Sequence, residues 1–100
     1  MREYKIEISD AALSMLDAHV DFMARVNQEA AQRLAAQILQ DVESLRRLPE
    51  RFPAYENVFL LDNCYRKMLS AKRYLVMYEI SGDTVYVDYI ADCRQDFSIK

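Results

Sequence analysis

One glycine and two prolines in one hundred residues leave no stretch that could serve as a flexible linker or a low-complexity segment. A glycine-rich phosphate loop needs several glycines close together, and none exist here. Two cysteines, Cys64 and Cys93, are too few and too far apart for a zinc set, and no HExxH or CxxC motif occurs. The single histidine, His19, has no second His, Cys or Ser placed to form a catalytic pair, so it reads as a surface or boundary residue. These absences argue against a conventional hydrolase or redox enzyme, and neither cofactor nor metal is expected. No apolar run approaches the roughly 18 residues of a membrane span. Met1-Arg2-Glu3-Tyr4 also lacks the apolar segment of a signal peptide, so a cytoplasmic location and no membrane partner are expected.

What is present is the composition of one compact domain over residues 1–100, with 52% hydrophobic residues and a net charge of -3. The charge is unevenly placed. Residues 1–60 carry seven Lys/Arg against ten Asp/Glu, and residues 61–100 carry six against six. In the second set the cations gather at Arg66, Lys67, Lys72 and Arg73, with Arg94 following. That is a local patch on an acidic protein, weaker than the broad basic face of a dedicated nucleic-acid binder.

Tyr4, Ile6 and Ile8 alternate with Lys5 and Glu7, as in a half-buried strand. Ser9 is a good helix N-cap with Asp10 in the first turn, and Leu13, Leu16, Val20 and Met23 recur at helical spacing, widened by Ala12, Met15 and Phe22. This predicts a helix from about Asp10 to Val26. Asn27 caps a second helix, in which Ala31, Leu34, Ala35, Ile38, Val42 and Leu45 hold a regular spacing until Pro49 ends it. The two form an antiparallel hairpin whose Ala30, Ala31, Ala35 and Ala36 permit close approach. Leu48 to Pro53 is a turn-rich connection, and residues 54–63 read as ordered loop, with Val58 to Leu61 either a short strand or an apolar plug.

The region from Tyr65 to Ile90 reads as three strands. Tyr65 to Leu69 alternates, Tyr74 to Ile80 is β-branched and aromatic, Ser81-Gly82-Asp83 turns, and Val85 to Ile90 alternates again. On the third strand of the chain, Tyr74, Val76, Tyr78 and Ile80 share one face. On the fourth, Val85, Val87 and Tyr89 oppose Tyr86, Asp88 and Ile90. The order β-α-α-β-β-β gives an α+β domain, an antiparallel sheet covered on one face by the helical hairpin and open on the other, where aromatic bodies with polar tips suit contact with another macromolecule. In such a meander Cys64 and Cys93 lie about 20 Å apart at opposite ends of the sheet, so both are expected as reduced thiols.

Arg73 begins the third strand and Arg94 follows the fourth, which predicts that both lie at one end of an antiparallel pair with Lys72, Gln95 and Asp96. Such a set could hold a phosphate or an acidic side chain. The alternative is a solvated network in which the arginines pair with Asp92 and Asp96. Arg66 and Lys67 should point to opposite faces of their strand. Any catalysis would rest on cations and orientation, as in RNA cleavage by its own 2′-hydroxyl.

The segments Tyr65-Arg66-Lys67-Met68-Leu69, Lys72 to Ile80, Val85 to Ile90 and Asp92-Cys93-Arg94-Gln95-Asp96, with the preceding strand, hairpin and Leu-Pro-Glu-Arg-Phe-Pro connection, resemble the RelE/ParE superfamily of type II toxins across the whole chain. The resemblance implies a growth-arresting toxin that acts on gyrase or on translation and is neutralised by a cognate antitoxin packing on the hairpin and open sheet. It also implies a stabilising role for the module that carries the gene, as on plasmids. Arg94 and Arg66 match functional basic positions of the ribosome-dependent mRNA endonuclease branch, with Arg73 and Lys67 as further catalytic candidates and Lys72, Gln95 and Asp96 as target-binding ones. Leu75 and Met68 stand where that branch carries an arginine and a second lysine, and its late tyrosine has no counterpart before Lys100. Arg73 immediately before Tyr74 looks more like the ParE branch. The alternatives are an mRNA interferase acting on ribosome and mRNA, or an inactive relative retaining antitoxin binding or self-association as a homodimer.

Overall fold

A computed structural model of the chain describes residues 3–53 and 65–93. The elements are β1 (Lys5–Ile8), α1 (Asp10–Ala24), α2 (Gln28–Glu43), two short 3-10 turns (Ser44–Arg46 and Pro49–Arg51), β2 (Arg66–Ser70), β3 (Tyr74–Ser81) and β4 (Thr84–Asp92). This is the expected α+β order. The 54–63 loop and Cys64 lie outside the described residues.

Both helices start where their caps predict. The Ser9 hydroxyl accepts from the Ala12 N–H at 3.0 Å and donates to the Asp88 carbonyl at 3.3 Å. The Asn27 side chain accepts from the Ala30 N–H at 2.9 Å. Along α1 only Ala12 and Leu16 are buried, with Met15, Val20 and Met23 packed against the core, while Leu13 and Phe22 point outward. The apolar stripe is therefore narrower than the sequence suggests. Along α2 it is Ala31, Leu34, Ile38 and Val42 that are buried, and Ala36 is exposed rather than part of the helix contact.

The second helix also stops earlier than Pro49 would impose. The Ser44 hydroxyl donates to the Asp41 carbonyl at 2.6 Å, and the chain tightens into the first 3-10 turn, burying Leu45. Pro49 opens the second turn instead, where a missing N–H costs nothing.

The strands lie in the order β1-β4-β3-β2. The last three form the expected antiparallel meander, and β1 joins its β4 edge in parallel, with Ile6 opposite Val85 and Ile8 opposite Val87. The N–H of Lys5 donates to Asp83 at 2.8 Å and that of Ser9 to Val87 at 2.9 Å. A parallel pair needs a long crossover, which the helical hairpin and the first strands of the meander supply. Alternation in sequence carries no direction, so the orientation of β1 was not readable from it.

One irregularity resets the pattern of β4. Tyr78 pairs with Val87, but Met77 pairs with Tyr89, so Asp88 is an extra residue in the ladder. The expected alternation of Val85, Val87 and Tyr89 on one face therefore fails at its last member. Val85, Val87 and Ile90 are fully buried, whereas Tyr89 is turned out beside Tyr86. On β3 the expected face holds, with Tyr74, Val76 and Tyr78 buried and Ile80 packed against them. Each fully buried aliphatic side chain here contributes about 1.5–3 kcal/mol.

Polar ties fix the layers. Tyr78 is fully buried and its phenol donates to the Pro49 carbonyl at 2.6 Å. Burial pushes its pKa up to about 12, partly offset by Arg66 and Arg51. Ser70, also fully buried, donates to the Asp41 carboxylate at 2.7 Å, joining β2 to α2. The β2-β3 turn closes with the Arg73 N–H on the Ser70 carbonyl at 3.3 Å, and both central residues, Ala71 and Lys72, have positive φ, 52° and 70°. That is the backbone of a tight hairpin built without glycine. The β3-β4 turn places its glycine, Gly82, at φ 61°.

Two outcomes follow from these ties. Tyr78→Phe leaves the buried Pro49 carbonyl without its donor and should lower unfolding free energy in urea by about 1–3 kcal/mol at neutral pH. Because the folded pKa is raised above the ordinary value near 10, the Tyr78 contribution is complete below pH 10 and lost as pH rises from 10 through 12. Stability measured across that range should fall less steeply in Tyr78→Phe than in the parent. Lys72→Gly relieves a left-handed backbone at an exposed position and should raise stability by about 0.5–1 kcal/mol. A loss instead would show that the Lys72 side chain holds the turn.

Candidate functional site

The described cations predicted as a site do not meet at one surface. At one end of the sheet the Cys93 N–H donates to the Arg73 carbonyl at 2.9 Å and Tyr74 pairs with Asp92, so the end of β4 abuts the start of β3 as expected. Arg94, Gln95 and Asp96 lie outside the described residues. Asp92 is buried at 4% exposure.

Arg73 is half-buried, and its guanidinium carbon lies 5.5 Å from the centre of the Tyr74 ring. The same ring meets His19 at 4.9 Å, tilted by 50°. His19 Nε2 lies 2.8 Å from the Ile90 carbonyl and must carry the proton to make that bond, which fixes the imidazole as a boundary residue between α1 and β4. A chain of contacts thus runs from the backbone of β4 through His19 and Tyr74 to Arg73.

Around Arg73 a groove of about 480 Å³ opens between the helical hairpin and the β2-β3 turn. Its rim carries Arg33, Lys72 and Arg73, and its apolar lining includes Met23, Leu34 and Tyr74. Among the described residues no carboxylate lines it. Arg33 was not singled out in the sequence because α2 is long and mixed in charge. Only its position nearly two turns beyond the Asn27 cap, on the side facing the turn, gives it this role.

The open face of the sheet is different in chemistry. Met77 pairs with Lys67 and with Tyr89, and Leu75 with Leu69 and Ala91, so these side chains share the side away from the helices. Leu69, Tyr86 and Tyr89 are exposed there, at 58%, 41% and 41%. The Tyr65 phenol donates to the Asp88 carboxylate at 2.8 Å, and its ring meets Tyr89 edge-on at 6.1 Å. That hydrogen bond, with burial adding to it, holds the phenol well above its ordinary pKa, so Tyr65 stays protonated and is no base at neutral pH. A shallow cleft of about 440 Å³ between Phe52, Pro53, Lys67, Leu69 and Leu75 borders this face.

Arg66 and Lys67 do point apart. Lys67 is exposed on the open face. Arg66 turns to the connection, where one guanidinium nitrogen donates to the carbonyls of Glu50 at 3.0 Å and Phe52 at 2.7 Å. These bonds hold the connection against β2, alongside the Lys67 N–H on the Pro53 carbonyl at 3.0 Å. Arg66 also sits four residues from Ser70, about 13 Å along β2 and away from the turn that carries Arg73. The three described catalytic candidates, Arg66, Lys67 and Arg73, therefore face three different surroundings rather than one point. Among the described residues no group of three or more His, Cys, Asp or Glu could hold a metal ion, and no helix is long and apolar enough to cross a membrane.

No curated protein matches the sequence. Among solved structures, the chain is similar to one described as the chromosomal ParDE TA system from P. aeruginosa. The match has a TM-score of 0.74 at 14% identity and covers 90% of this chain and 96% of that one, which supports the fold. A family model described as the ParE toxin of type II toxin-antitoxin system, parDE, matches residues 6–97, nearly the whole sequence. The chain belongs to the ParE toxin family of the RelE/ParE superfamily.

Proposed function

We propose that this toxin arrests growth by binding gyrase in the cytoplasm, acts as one domain spanning residues 1–100, and is neutralised by a cognate antitoxin laid across the open sheet face. The observation that carries the choice of a binding mode over RNA cleavage is the dispersal of the cations. RNA cleavage without a metal needs several positive groups aimed at one phosphate. Arg66 is instead held by two backbone carbonyls, Lys67 stands on the open face, and Arg73 faces the helix-side groove. Leu75 and Met68, where the nuclease branch carries cations, leave that set smaller still. The Tyr65 phenol is engaged as a donor to Asp88, which keeps it protonated.

Antitoxin binding on the open face is supported by Leu69, Tyr86 and Tyr89, apolar surface that a folding tail could cover. Target contact is assigned to Lys72 and Arg73, with Arg94, Gln95 and Asp96, which follow Cys93 directly in sequence.

Induced expression of the chain alone should stop bacterial growth, and co-expression of the adjacent gene should restore it. In arrested cells DNA supercoiling should change and gyrase-DNA cleavage complexes should accumulate, while mRNA 5′ ends stay as in uninduced cells. New codon-dependent 5′ ends with unchanged supercoiling would mark an mRNA interferase instead, and undisturbed growth at high soluble expression would remove the toxin reading altogether.

A further inference from the structure

The two surfaces described above differ in chemistry, and that difference suggests two partners. The open sheet face mixes Lys67 with Glu79 and Asp88 among tyrosines and leucines, whereas the groove between the hairpin and the β2-β3 turn has three cations on its rim and, among the described residues, no carboxylate. Resting on the toxin reading, we infer that this groove is the target-binding surface. Its occupant is an acidic amphipathic segment of the target protein, with carboxylates on Arg33, Lys72 and Arg73 and apolar side chains on Met23 and Leu34.

Charge complementarity argues for this occupant. Three cations around an apolar lining match carboxylates flanking apolar anchors, which a nucleic-acid backbone does not provide. The overall charge of -3 would also repel an extended polyanion, while a short acidic segment feels only the local patch.

Two of the cations are presented by fixed backbone. Lys72 sits in a left-handed turn, and Arg73 is steadied by the Tyr74 ring, itself backed by His19. A cation whose position is set before binding loses less conformational freedom on contact. Arg33 supplies the third from the first turns of α2, across the groove.

The groove and the open face lie on opposite sides of the sheet. Met68, Tyr74 and Val76 face the helices, while Lys67, Leu69 and Leu75 face away. Changing the groove should therefore separate arrest from neutralisation. The test is the double variant Arg33→Glu with Lys72→Asp, in which aspartate tolerates the positive φ at position 72. Lys5→Glu, a single charge reversal on the far edge strand, serves as the control for a cation changed outside the groove, and a melting curve checks that both remain folded.

Loss of two charge-assisted contacts weakens target binding by about 100-fold. The folded double variant should therefore stop arresting growth while still co-purifying with the antitoxin, and Lys5→Glu should arrest as the parent does. Arrest by the folded double variant at the parent's expression level would overturn the inference. So would loss of antitoxin co-purification, which would give the groove to the antitoxin. Retardation of a duplex DNA fragment by the parent but not the double variant would give it to nucleic acid, again overturning the inference. A parent that fails to arrest growth sinks the toxin reading itself, so the two failures are told apart.

Discussion

The extra residue at Asp88 is the constraint on which the sheet depends. A regular nine-residue β4 would bury Val85, Val87 and Tyr89 and expose Ile90. With one residue inserted into the ladder, the apolar residues of both halves of the strand meet the helical hairpin. The irregularity leaves backbone and side-chain groups to be satisfied, and neighbours satisfy them. The Asp88 carbonyl takes the Ser9 hydroxyl, its carboxylate takes the Tyr65 phenol, and the Ile90 carbonyl takes His19. The same shift sends Tyr89 outward to join Tyr86, so the composition of the open face is a by-product of how the core is filled.

Much of the fold was legible because it rests on local signals. Ser9 and Asn27 marked helix starts to the residue, and the spacing of Leu34, Ile38 and Val42 identified the buried side of α2. What escaped was whatever depends on a partner distant in sequence. The parallel ladder of β1, the bond between Ser70 and Asp41, and the phase change at Asp88 are all decided by tertiary pairing that no local period records. The early end of α2 was missed because Pro49 is a loud signal and Ser44 a quiet one.

The candidate site was legible in part for the same reason. Sequence order alone brought Arg73 to the end of β4, as the bond from Cys93 to its carbonyl shows. It could not reveal that Arg66 spends its guanidinium on the carbonyls of Glu50 and Phe52, nor that Arg33 from a different layer overlooks the same groove as Lys72 and Arg73. Cations are counted easily in a sequence. Their occupations are not, and on a scaffold shared by several activities the occupations decide which chemistry is open to it.

The position of β1 bears on how the protein comes to exist at all. Its ladder partner is the strand that emerges from the ribosome almost a full chain length later, and this pairing is among the most non-local contacts in the molecule. The helices can form as soon as they are made, but the sheet edge they shelter stays open until β4 arrives. Assembly is therefore late and abrupt, and an incomplete chain presents neither the finished groove nor the finished open face.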